Sequence, residues 1–135
     1  MLSGRAIVYP TYKGTYKRNT GQTSIWPNAS HAYEEWIIQV VNDARRSIDY
    51  AMTRDDFRHD SLAFVANSWG SFFGTRLLAV EPRVKTSVLM ADGLQGERPA
   101  PSVDNLNFVT HITMPVLMVK EVLDWLDRYQ GPVQH

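Results

Sequence analysis

The longest regular pattern of apolar and polar positions runs over residues 30–54. Apolar side chains recur there at steps of three and four residues, and charged side chains such as Glu34 and Arg45 fill the positions between them. That spacing places the apolar side chains on one face of an α-helix. The pattern therefore predicts an amphipathic helix of about six turns.

Four short apolar runs predict strands, at residues 5–10, 61–66, 84–91 and 115–119. Runs that are apolar at nearly every position suit strands buried on both faces of a parallel sheet. Helical patterns precede Pro82 and occupy residues 121–129, whereas residues 95–107 are polar and proline-containing and predict a loop. Strands that alternate with helices predict the α/β class, here a three-layer fold with a mostly parallel sheet of about four strands flanked by helices.

Length and composition fit a single domain over residues 1–135, with 44% hydrophobic and 21% charged residues. Lys+Arg and Asp+Glu balance at 14 each, so no basic surplus points to nucleic acid or to an anionic membrane. There is no cysteine, which excludes disulfides, thiolate metal sites and a cysteine nucleophile. Without a secretion signal or a span-length apolar stretch, we expect a cytoplasmic protein.

The segment Ala66-Asn-Ser-Trp-Gly-Ser71 carries the most specific chemical pattern in the chain. A predicted strand leads into Ser68, and a predicted helix starts directly after it. A nucleophile elbow has this arrangement, with small residues two positions before and after the serine so that the strand and helix backbones can approach. Ala66 and Gly70 fill those positions. The alternative is that Ser68 only caps the helix that follows.

Other polar residues are candidate partners of Ser68. Asp92 follows the third predicted strand and is a candidate acid, although turn chemistry beside Gly93 favours a plain turn residue. His111 precedes the last strand, at the end of the sheet opposite the elbow, and none of the four histidines has an evident path to Ser68. No metal-ligand spacing is present, and neither a metal nor a cofactor is expected.

Several blocks of the chain resemble the α/β-hydrolase superfamily. They include Gly4-Arg-Ala-Ile-Val-Tyr-Pro-Thr-Tyr-Lys-Gly-Thr-Tyr16, Ser68-Trp-Gly70, Ala79-Val-Glu-Pro-Arg83 and Glu121-Val-Leu-Asp-Trp-Leu-Asp-Arg-Tyr129. The similarity is to the dienelactone-hydrolase and prolyl-oligopeptidase-like (peptidase S9-like) branch, which is often fused to bacterial serine/threonine kinases. It implies that Ser68 is the nucleophile and that the backbone N–H of Trp69 is an oxyanion donor. Tyr12 and Tyr16, in the loop after the first predicted strand, are candidate substrate-binding residues.

The same resemblance implies that parts of the fold are missing. The family's first three strands have no counterpart, and neither do the loops that carry the catalytic Asp and His. The expected function is therefore that of a serine hydrolase-like protein acting on a small ester or amide, with weak or no activity. The alternative is a non-catalytic remnant or protein-interaction module. The strand edges left unpaired predict self-association.

Overall fold

The computed structural model of the protein describes residues 4–19, 21, 27–91 and 99–119. The predicted long helix is confirmed as α1, His31–Met52. Its start is fixed by Ser30, whose side chain accepts a hydrogen bond from the Tyr33 N–H, as expected of a serine N-cap. Helix α2, Trp69–Val80, is followed by Glu81 and Pro82, and the short helix α3 covers Asn105–Val109.

Three parallel strands form one sheet in the order β1-β2-β3: β1 is Ala63–Asn67, β2 is Thr86–Met90 and β3 is Val116–Val119. Val65 of β1 lies opposite Val88 of β2, which lies opposite Leu117 of β3. Helix α2 connects β1 to β2, and α3 lies between β2 and β3. The protein is therefore of the α/β class, with helices flanking an all-parallel sheet.

The core forms between α2 and the sheet face that carries Phe64 and Leu89. Gly74 of α2 lies so close to Phe64 that a Cβ at this position would be 2.6 Å from the phenylalanine Cε1 atom. Helix α2 also packs against α1, and apolar residues of both helices are buried between them. The buried members of this helix–helix core are Tyr33, Trp36, Ile37, Val40, Val41, Ala44, Phe72, Phe73 and Leu77.

The opposite face of the sheet is apolar and exposed. Paired residues of a parallel sheet share a face, so Val65, Val88 and Leu117 lie together on it. Val65 is 62% exposed and Leu117 is 59% exposed. The described residues thus form two layers, and the helix that the sequence predicts over residues 121–129 lies outside them.

Residues 5–10 do not form the predicted strand. They have no ladder partner in the described part of the chain, and Ile7 is 89% exposed. Instead this segment runs beside α1, where Val8 and Thr11 line an open groove of about 310 Å³ with Arg46 and Tyr50. An apolar run becomes a strand only where a neighbouring strand supplies backbone hydrogen bonds, so a prediction from the pattern alone was wrong here.

The prediction of a loop over residues 95–107 was also wrong in part. This segment contains a 3₁₀ turn, Pro101–Val103, and the first residues of α3. Asp104 caps α3 by accepting a hydrogen bond from the Leu106 N–H. An aspartate in this position favours a helix start, but the polar and proline-containing composition of the segment led to the prediction of a loop.

Candidate functional site

Ser68 occupies the junction between β1 and α2 in a strained backbone conformation. Its φ is 51° and its ψ is −122°. A residue with a Cβ rarely adopts a positive φ, and conformations of this kind cost on the order of 1–3 kcal/mol. Such strain persists only where the surrounding structure imposes it, and it concentrates at functional sites.

Backbone and side-chain hydrogen bonds from neighbouring elements hold this turn in place. The Ser68 N–H donates to the Met90 carbonyl of β2 at 2.8 Å. Ser71, one turn into α2, has its hydroxyl oxygen 3.0 Å from the Ala66 carbonyl and 2.9 Å from the Met90 carbonyl. The same oxygen accepts the Met90 N–H at 3.0 Å. The buried Ser71 hydroxyl therefore joins the carboxyl ends of β1 and β2 beneath Ser68.

The two small positions of the predicted motif lie in contact. A Cβ built on Gly70 would be 3.3 Å from the Cβ of Ala66, a separation tighter than ordinary van der Waals contact. A larger side chain at either position would push the start of α2 away from the end of β1. The strand–turn–helix context that the sequence predicted is thus present around Ser68.

The Ser68 side chain does not cap α2. It makes no capping hydrogen bond, and it is exposed. An N-cap serine normally has an extended backbone with negative φ and accepts an N–H from the first turn, as Ser30 does for α1. The capping interpretation of Ser68 is therefore wrong. The backbone N–H groups of Trp69 and Gly70 have no acceptor among the described residues, whereas those of Ser71 and Phe72 donate to the Ser68 carbonyl at 2.8 and 3.1 Å.

An aromatic cluster lies beside the turn and includes one of the two predicted tyrosines. The Trp69 ring stacks on Trp36 with a centroid distance of 5.2 Å and contacts Phe73 at 5.0 Å. Tyr12 packs edge-on against Phe73 at 5.1 Å and against Trp69 at 6.5 Å. Burial raises the pKa of Tyr12 to about 12, so its hydroxyl remains protonated at neutral pH. The buried indole N–H of Trp69 has no hydrogen-bond acceptor within the described ranges.

The other predicted site residues are not brought to Ser68. Tyr16 is largely exposed in a 3₁₀ turn, and its hydroxyl interacts with that of Tyr9. Asp92 lies outside the described residues.

Three of the four histidines fall within the described ranges, and each is exposed. His31 interacts with Glu34 at the start of α1, His59 contacts the Arg54 carbonyl, and His111 precedes β3 at the far end of the sheet. A general base for Ser68 is thus not found in this part of the chain.

Comparisons with known proteins identify no relative of this chain: no protein-family model, curated protein or solved structure matches it. Within the described residues, no three histidine or acidic side chains are grouped closely enough to hold a metal ion. No helix in the described ranges has both the length and the apolarity needed to cross a membrane.

Proposed function

We propose that this protein is a serine hydrolase-like protein of α/β-hydrolase descent, in which Ser68 is the nucleophile toward a small ester or amide. The observation that carries the proposal is the backbone of Ser68, with φ 51° and ψ −122° at the end of a parallel strand. A glycine would adopt this conformation without the strain, and the serine side chain does not cap the helix. A reactive role for the hydroxyl explains why a strained serine is held at an exposed position.

The start of α2 supplies the electrostatic part of such a reaction. Attack of the Ser68 hydroxyl on a carbonyl carbon would place negative charge on the carbonyl oxygen. The Trp69 N–H, for which the described part of the chain supplies no acceptor, and the positive end of the helix dipole would stabilise that charge. One backbone donor provides less stabilisation than the pair that acyl-transfer enzymes use, so slow acylation is expected.

Activity is further limited by the proton acceptor. A serine hydroxyl is a weak nucleophile unless an adjacent base removes its proton, and none of the histidines in the described ranges lies at Ser68. This deficit favours the second candidate function, a non-catalytic remnant of the fold or a protein-interaction module. The proposed enzyme is therefore expected to react with activated electrophiles but to turn over ordinary esters slowly or not at all.

A fluorophosphonate probe, which modifies nucleophilic serines, separates the two functions. We expect the folded wild-type protein to be labelled and Ser68→Ala to remain unlabelled with an unchanged circular dichroism spectrum. Ser61→Ala is the matched control, because Ser61 is exposed and lies just before β1. Labelling that persists in Ser68→Ala, or a folded wild-type protein that does not react, contradicts a nucleophilic Ser68 and leaves the non-catalytic function.

A further inference from the structure

Within residues 4–19, 21, 27–91 and 99–119, nothing pairs with the outer edge of β1, which leaves a row of backbone hydrogen-bonding groups open. Among the described residues, β1 pairs with β2 alone. The Leu62 carbonyl accepts from the Lys85 N–H, and the Ser68 N–H donates to Met90, so even-numbered residues direct their backbone groups toward β2. Backbone groups alternate in direction along a strand. The odd-numbered residues Ala63, Val65 and Asn67 therefore present their N–H and C=O groups to the open edge.

This edge lacks the features that normally prevent strand pairing between molecules. Exposed edges are usually protected by charged side chains, by proline or by a bulge. The five residues of β1 contain no charge and no proline, and their register with β2 is continuous. The other edge strand, β3, is preceded by Pro115 and followed in the sequence by Lys120 and Glu121. The unprotected edge is thus that of β1.

The side chains at the open edge are also suited to a second copy of the chain. Ala63, Val65 and Asn67 share the exposed face of the sheet, and Val65 is 62% exposed. All three are uncharged, so two identical edges meet without like-charge repulsion. The zero formal net charge of the chain adds no long-range repulsion between copies.

We propose that two copies of this protein associate through an antiparallel β1–β1 pair centred on Val65. A two-fold axis at Val65 places Ala63 of one copy opposite Asn67 of the other, and each opposed pair exchanges two backbone hydrogen bonds. This arrangement closes on itself and yields a dimer with a six-stranded sheet rather than a filament. It does not depend on the reactivity of Ser68.

The register can be tested with single cysteines, because the chain has none of its own. We expect Val65→Cys to be joined into a covalent dimer by a thiol cross-linker that spans under about 10 Å, because opposed residues lie about 5.5 Å apart. Leu117→Cys is the matched control, since Leu117 is 59% exposed on the same face. Two copies of β3 would lie about 24 Å apart across the dimer, so this variant should not be cross-linked.

A mixture of two variants distinguishes the antiparallel from the parallel arrangement. Ala63→Cys mixed with Asn67→Cys should yield cross-linked heterodimers, whereas Ala63→Cys alone should not. Efficient cross-linking of Ala63→Cys with itself would overturn the antiparallel register. Cross-linking of Leu117→Cys in place of Val65→Cys would show that the copies meet through their sheet faces instead.

The association itself is measured by sedimentation velocity over a range of concentrations. Val65→Lys places like charges directly opposite each other at the two-fold axis and should raise the dimer dissociation constant by about tenfold or more. Leu106→Lys, at a comparably exposed position on α3, should leave it unchanged. A wild-type protein that remains monomeric at all concentrations would refute the dimer.

Discussion

At the scale of single residues, the strain at Ser68 predicts an unusual order of stabilities among its variants. Glycine adopts positive φ freely, whereas alanine retains the Cβ that makes the conformation costly. Relief of about 1–3 kcal/mol of strain exceeds the entropic cost of a glycine, about 0.5–1 kcal/mol. We expect Ser68→Gly to be more stable than Ser68→Ala by about 1 kcal/mol, measured by urea unfolding. An alanine variant that matches or exceeds the glycine variant would show that Ser68 is not strained.

The sequence predicted the position of this turn but not the contacts that hold it. Ala66, Ser68 and Gly70 follow one another closely, so their relation is visible in a short string. The role of Ser71 depends on Met90, which is 19 residues away and reaches the turn only after β2 has paired with β1. In the same way, Tyr12 and Tyr16 are close in sequence, yet only Tyr12 packs against the aromatic residues beside Ser68. Non-local packing, which no local pattern encodes, decides between them.

At the scale of elements, the contact between α2 and β1 depends on the glycine at position 74. Alanine favours a helix interior by about 1 kcal/mol over glycine, yet its Cβ would be 2.6 Å from the Phe64 ring. Overpacking of a buried contact typically costs about 1–3 kcal/mol. We expect Gly74→Ala to lower the free energy of unfolding, in contrast to its effect in an exposed helix.

A double-mutant cycle with Phe64→Leu isolates this contact. The smaller side chain removes the clash, so Gly74→Ala should be less destabilising in the Phe64→Leu background than in the wild type. An equal change in the free energy of unfolding in both backgrounds, or a Gly74→Ala variant more stable than the wild type, would show that the Phe64 ring moves aside without an energetic cost.

Elements whose partners are close in sequence were predicted well. Helix α1 needs only its own periodicity and the Ser30 cap, and β1, α2 and β2 follow one another within 28 residues of chain, residues 63–90. The run at residues 5–10 has the composition of a strand but no strand beside it, so its apolar side chains lie against α1 or in solvent. Strand propensity reflects the surroundings that a sheet provides more than a preference of the backbone itself.

At the scale of the whole molecule, a network of ion pairs links α1 to the residues that follow α2. The Glu81 side chain is 1% exposed, and two nitrogens of the Arg83 guanidinium lie 2.6 Å from its carboxylate oxygens. Arg83 also contacts Asp49 of α1 at 2.8 Å, and Arg45 of α1 lies 3.5 Å from Glu81. The hydrogen bonds from Arg83 lower the pKa of Glu81 below its usual value, so the charged carboxylate stabilises the folded protein.

This network predicts how the stability of the fold depends on pH. The pKa of Glu81 is lower in the folded protein than in the unfolded chain. Its contribution to the free energy of unfolding is therefore complete above about pH 4.5 and is lost as the pH falls through the pKa of the folded state. Arg83→Met removes the charge-assisted hydrogen bonds and should cost roughly 2 kcal/mol at pH 7. The difference in the free energy of unfolding between wild type and Arg83→Met should therefore become smaller between about pH 5 and pH 3.

Urea unfolding at several pH values measures this difference directly. Arg58→Met is the control, because Arg58 and its partner Asp60 are both mostly exposed and exposed ion pairs contribute little to stability. A difference in the free energy of unfolding between wild type and Arg83→Met that stays constant from pH 7 to pH 3 would show that Arg83 does not stabilise the ionised Glu81. A difference that narrows would show that ionised Glu81 stabilises the fold through its hydrogen bonds with Arg83.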